Sequence, residues 1–184
     1  MASSTEFDMA DAIALLTRTP ASLHALLSGL PDIWVRRNEG PDTWSVYDIV
    51  GHLIHAERAD WMPRVRTILE SGETRPFDPF DRFAQLRQDQ SRPLEQLLDE
   101  FASLRKESLA TLQALHLRDE DLTRRGRHPA LGVVTLSELL STWAVHDLNH
   151  LHQLSRVMAY QYRDAVGPFN AYLGALHCKG HSAS

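Results

Sequence analysis

The stretch WAVHDLNHLHQL, residues 143–154, places three histidines among the leucines and tryptophan of what reads as a core helix. At about 100° per residue, positions four apart stack on one helix face. His146 and His150 therefore share a face, which Leu136, Leu139 and Trp143 extend backwards and Leu154 and Val157 extend forwards. His152 lies roughly 200° from His150 and cannot join them. Two imidazoles thus look inward together. Such a pair has two readings: hydrogen-bonded core histidines, or two ligands of a metal that needs a third ligand from elsewhere.

The rest of the chain supplies a helical frame. Thr135-Leu-Ser-Glu138 is a capping box, with Val134 and Leu139 as its hydrophobic staple, and it opens the histidine helix. A first helix begins at Met9, Ile13 and Leu16. Thr19-Pro20 reads as a cap and first-turn proline that restart it, followed by Leu23, Leu26, Leu27 and Leu30. The turn-rich PDIWVRRNEGPDTW (31–44) leads to Ser45, the cap of a second helix stapled by Trp44 and Ile49 and running to about Leu69. Pro63 predicts a kink or break inside it. A proline-punctuated crossover, SGETRPFDPFD (71–81), precedes a short helix near Asp81 to Gln90, and a third long helix spans about Arg92 to Leu115. TRRGRHPALG (123–132) reads as a loop. A last short helix is expected from Pro168 to about His177, packing Phe169, Leu173 and Leu176. Four main helices with no convincing strand run predict an all-α four-helix bundle with short extra helices.

Composition narrows the function classes. With 184 residues, 43% hydrophobic and 23% charged, the chain predicts one domain over 1–184, with flexible tails at about 1–6 and 178–184. Its net charge of −5 provides no basic face for nucleic acid. No apolar run approaches the roughly 20 residues of a membrane span, and the acidic start lacks the basic segment of a signal peptide. The lone Cys178 excludes an intrachain disulfide and suits a reducing cytoplasm, the expected location.

A third ligand comes from the second helix. WSVYDIVGHLIHAE (44–57) carries His52 close to the face of Ile49, Leu53 and Ala56, and facing helices of a bundle build metal sites. Two imidazoles from one helix and one from another make a three-nitrogen site with a position left for water, suited to zinc, nickel or a similar borderline metal. Protons should displace that metal between about pH 7 and 5, because a free imidazole has a pKa of about 6.5. HDLNH differs from the HExxH of zinc proteases in its aspartate, and no glutamate follows Glu138 to serve as the further ligand. For an acid or base, Glu57 and Asp147 point away from the histidines and read as surface or outer-shell carboxylates. His55 and Asp60 lie nearer the right side and are the catalytic candidates.

The remaining motifs read more plainly. Arg124, Arg125, Arg127 and His128 form a basic segment, either a solvated loop or an anion-binding rim. His177, Cys178 and His181 imitate a metal cluster, but Gly180 interrupts the helix that would align them. His24 and His116 have no partners at ligand spacing. Trp34, Trp44, Trp61 and Trp143 read as core and staple residues, with Trp61 and Trp143 also able to line a pocket above the metal.

Taken together, WSVYDIVGHLIHAE, HPALG leading into TLSELL, and HDLNHLHQL resemble the DinB/YfiT superfamily of metal-binding four-helix bundles. The resemblance runs from TPASLHALLSGL in the first helix to FNAYLGAL near the end. By match to the family motif, His52, His146 and His150 correspond to the three metal-binding histidines. The resemblance implies one divalent metal, a homodimer, and either a hydrolase or a transferase that moves a low-molecular-weight thiol onto a small-molecule substrate. The alternatives are a non-catalytic metal- or ligand-binding protein of the stress-response type, and a metal that only staples the bundle.

Overall fold

The computed structural model describes residues 6–178. Expectations about 1–5 and 179–184, including His181 and most of the predicted tails, lie outside the described residues. Helix α1 (Met9–Leu27) opens on Asp8, whose carboxylate accepts from Asp11 N at 2.8 Å. The predicted restart at Thr19-Pro20 does not occur, and α1 runs through Pro20 unbroken. Proline lacks the N–H that would bond the Leu16 carbonyl. Arg105 Nη1 donates to that carbonyl instead, at 3.0 Å. A tertiary contact therefore satisfies what the local sequence leaves open.

After the single turn α2 (Asp32–Val35), helix α3 (Val46–Ala59) starts on a capping box formed by Ser45 and Asp48. The break predicted at Pro63 falls three residues earlier, at Asp60 (φ −113°, ψ −70°), and α4 (Trp61–Ser71) carries Pro63 in its first turn. That position is where proline is tolerated, because its missing N–H has no partner to lose. Tight 3-10 turns follow at Gly72–Thr74 and at Ala84–Arg87, the second standing where the short helix is predicted.

Helix α5 (Leu94–Ala114) and the turn α6 (Asp119–Leu122) precede a correction to the reading of one loop. The segment read as a loop is a β-hairpin, β1 (Arg125–His128) pairing antiparallel with β2 (Gly132–Thr135). Phe77 N donates to the Arg127 carbonyl at 2.9 Å, so the crossover ties down the hairpin's other edge. Gly126 permits this packing: a Cβ there would lie 2.7 Å from Ile68 and 2.8 Å from Phe77. The hairpin is too short and polar to carry an alternation signal; its register comes from that docking.

Helix α7 (Leu136–Tyr160) begins on the predicted Thr135–Glu138 box. Beyond it, two 3-10 turns (Gly167–Tyr172 and Gly174–Leu176) replace the predicted last helix. Gly174 interrupts the helical period, and Phe169 (70%) and Leu173 (40%) stay exposed instead of packing.

The structure is a four-helix bundle in which α5 and α7 each pack against both α1 and α3. The first and second long helices are thus diagonal to one another, and the third lies between them. One apolar cluster gathers Leu23, Leu27, Ile49, Phe101, Leu154 and Val157; the other gathers Leu16, Trp61, Val65, Leu112, Leu140 and Trp143. Between the two along the four helices lie buried polar residues: Thr19, Glu57, Arg105 and Asp147.

Candidate metal centre

Helix α3 contributes His52, and α7 contributes His146 and His150 one turn apart. His146 Nε2 lies 3.3 Å from His52 Nε2 and 3.0 Å from His150 Nε2. The three predicted ligands therefore converge, and among the described residues they are the one group of His, Cys, Asp or Glu that meets at metal-ligand distance. His52 and His150 are buried and His146 is partly buried. His152 is exposed, as the helical period predicts.

Electrostatics keeps these rings neutral. Burial first, and the neighbouring His150 second, hold His52 at a pKa of about 3 and His146 at about 2. Burial lowers His150 as well, while its bond to Gln153 opposes the shift. These lowered values shift proton competition for His52 and His146 below the range of a free imidazole.

The donor set fits a transition-metal ion. Three imidazole nitrogens that approach one another this closely can share one cation as their common partner. Zinc–nitrogen bonds of about 2.0–2.1 Å in a tetrahedral site separate the donors by roughly 3.3 Å, close to the two spacings seen here. His150 Nδ1 bonds Gln153 Oε1 at 2.8 Å. His146 Nδ1 is buried without a protein partner, and His52 hydrogen-bonds the backbone of Arg82.

The imidazoles form part of the wall of a cavity of about 820 Å³. Trp44, Trp61, Phe77 and Phe80 supply aromatic wall, and Asp60, Arg64, Arg82 and His128 supply polar groups. Trp61 stands edge-on to His146 at 5.0 Å between ring centroids, and Trp44 stacks against His150 at 6.4 Å. Trp61 thus lines the pocket as expected. Trp143 does not: it is fully buried behind Trp61, with the rings parallel and 5.7 Å apart. Trp44 joins the wall in its place, a role that its position as a staple residue conceals.

The two catalytic candidates separate. The break between α3 and α4 turns Asp60 into the cavity wall, where burial raises its pKa to about 6 against the opposing pull of Arg64. Arg64 Nε lies 2.5 Å from its carboxylate. His55 lies outside this cavity. It stacks on Phe80 at 4.8 Å and faces a small cleft beside Gln85 and Arg58.

Glu57 and Asp147 are not surface carboxylates. Both are buried, and both are held by Arg105 of α5, itself 1% exposed. Arg105 donates to Asp147 through Nη1 and Nη2 at 2.5 and 2.9 Å, and to Glu57 through Nε at 2.9 Å. Trp143 Nε1 adds a bond to Glu57 at 3.1 Å. Sequence reading misses Arg105, yet a signal exists: positions 94, 98, 101, 105, 108 and 112 form one helical stripe, and Arg105 and Ser108 interrupt its apolar residues. The basic segment is also mostly engaged, with Arg124 bonded to the Leu69 carbonyl and Arg125 paired with Glu73. His128 Nδ1 accepts from Ala130 N and Leu131 N at the hairpin tip.

The sequence model of the DinB superfamily matches residues 15–154, a span that contains all three histidines. No curated protein matches the sequence significantly. Among solved structures, the chain is similar in fold to YfiT from Bacillus subtilis, described as a probable metal-dependent hydrolase with an unusual four-helix bundle topology. The two share 20% identity and a TM-score of 0.71, over 90% of this chain and 92% of that one.

Proposed function

The chain belongs to the DinB superfamily, and on that premise we propose that it is a metal-dependent enzyme, a hydrolase of a small molecule, with His52, His146 and His150 as its metal ligands. The observation that carries the reading is the convergence of three neutral imidazoles on the wall of a large, aromatic-lined cavity. A structural zinc site is closed by four protein ligands, whereas a catalytic one keeps a position open. Three ligands beside a cavity match the second pattern, and zinc or nickel suits the donor set.

When bound, a divalent ion supplies Lewis acidity that makes the proton of a water or a thiol easier to lose. Asp60, in the wall of the same cavity, would be the acceptor for such a proton. Its pKa of about 6 leaves it ionised at neutral pH and still basic enough to accept. Arg64 holds the carboxylate in place. Trp44, Trp61 and Phe80 give the cavity an apolar wall beside the histidines. Transfer of a low-molecular-weight thiol would use the same pocket and the same proton acceptor. The proposal further takes residues 1–184 as one domain, and a cytoplasmic homodimer as its working form, as the lone cysteine and the family resemblance imply.

The test is turnover by zinc- and nickel-loaded protein. Ester and amide substrates should be hydrolysed without added thiol, and activity should vanish with chelation. Turnover only when a thiol is supplied would select the transferase branch. Stoichiometric metal with no turnover in either panel would leave a metal-dependent binding protein.

A further inference from the structure

We propose that Gln153 is a positioning residue for the metal centre, fixing the tautomer and the ring angle of His150. The inference rests on the three-histidine reading above but makes a separate claim. A histidine that binds metal through Nε2 must carry its proton on Nδ1, and a hydrogen bond from that N–H sets the tautomer and holds the ring. Gln153 Oε1 stands 2.8 Å from His150 Nδ1 and is an acceptor only. It therefore selects the Nδ1–H form and leaves the Nε2 lone pair facing His146 Nε2, 3.0 Å away.

Three observations favour this role over ordinary core packing. Gln153 is 1% exposed, and its Nε2 has no hydrogen-bond partner, so its buried amide is engaged through the histidine. A leucine at this position would fill similar space without leaving an amide nitrogen unpaired. The spacing is i, i+3 on α7, which puts the acceptor on the helix that carries the ligand and makes the pair rigid. Finally, no side chain bonds Nδ1 of the other two imidazoles: His52 meets the backbone of Arg82, and His146 Nδ1 has no protein partner. Of the three rings, His150 is thus the one whose tautomer a side chain sets before any ion arrives.

The experiment compares wild type, Gln153→Leu and Gln153→Glu. In metal-free protein, long-range proton–nitrogen NMR should show His150 protonated at Nδ1 in wild type and in Gln153→Glu, and a mixture of tautomers in Gln153→Leu. Zinc affinity, measured by competition with a chromophoric chelator, should fall about 10- to 100-fold in Gln153→Leu and return in Gln153→Glu. Circular dichroism confirms that each variant is folded; should Gln153→Leu fail to fold, Gln153→Met replaces it. An unchanged tautomer and unchanged zinc affinity in the folded apolar variant would overturn the role of Gln153 and leave the site standing. A wild type that binds no zinc, with the tautomer pattern intact, would overturn the metal reading instead.

Discussion

His146 Nε2 lies 3.3 Å from His52 Nε2, across 94 residues of chain and between two different helices. The contact makes one site of a pair on α7 and a single histidine on α3. Alanine at His146 or at His150 should each abolish stoichiometric binding of a divalent ion, read by elemental analysis of purified protein. Full occupancy in both variants would show that the ion sits elsewhere.

The same three rings predict how metal-free protein responds to acid. Their folded pKa values lie below the unfolded value of about 6.5. The unfolded chain then binds more protons, so the stability they contribute is present above pH 6.5 and is lost as pH falls toward the folded values. Each histidine should add about 1.4 kcal/mol per pH unit to that slope. Asp60 works in the opposite sense, since its raised pKa makes it lose stability as pH rises from about 4 to 6. Urea denaturation of chelated protein between pH 6 and 4 should therefore be less steep in pH by one proton in His146→Phe than in wild type. Equal slopes would mean that His146 is not held neutral.

Asp60→Asn should lower turnover about 10²- to 10⁴-fold, the range for losing a general base, while metal content stays unchanged. The acid limb of the rate profile near pH 6 should disappear with it. A variant that retained both rate and limb would remove Asp60 from the chemistry.

Arg105 binds two buried carboxylates and the carbonyl that Pro20 leaves free. Arg105→Met should cost about 3–5 kcal/mol, because Glu57 and Asp147 lose their counter-charge while remaining buried. Chemical denaturation measures the loss. Replacing all three by apolar residues of similar volume should recover much of it, and an undiminished penalty in that triple variant would point to packing instead of charge.

Chelation distinguishes a working metal from a structural one. Two apolar clusters flank the site and do not depend on it. Metal-free protein should keep its helical circular dichroism at room temperature and melt at a lower temperature than the loaded form, since an ion that binds the native state stabilises it. Loss of the helical signal on chelation would make the ion a staple of the fold.

Much of the fold and of the site is legible in local chemistry. A capping box, a staple and a 3.6-residue period involve residues within one or two turns, so Thr135–Glu138, Ser45 and the face shared by His146 and His150 can be read from the chain alone. His52 is legible as a histidine near an apolar face, and the family motif supplies its partners. Features set by long-range pairing are harder to read. The continuity of α1 through Pro20 depends on Arg105, 85 positions beyond the proline on α5. The hairpin depends on Phe77 and on the space Gly126 leaves.

Sequence by itself determined four long helices, their apolar faces, and the face shared by His146 and His150. Those properties follow from spacing along a helix, which each segment carries within itself. Only the tertiary structure decided that α5 and α7 lie between α1 and α3, that Asp60 and not His55 joins the cavity, and that Glu57 and Asp147 turn inward to Arg105. A helix sequence specifies which way a side chain faces relative to its own axis. What it then meets depends on which helix packs there and where the chain breaks, and packing of the whole core sets both.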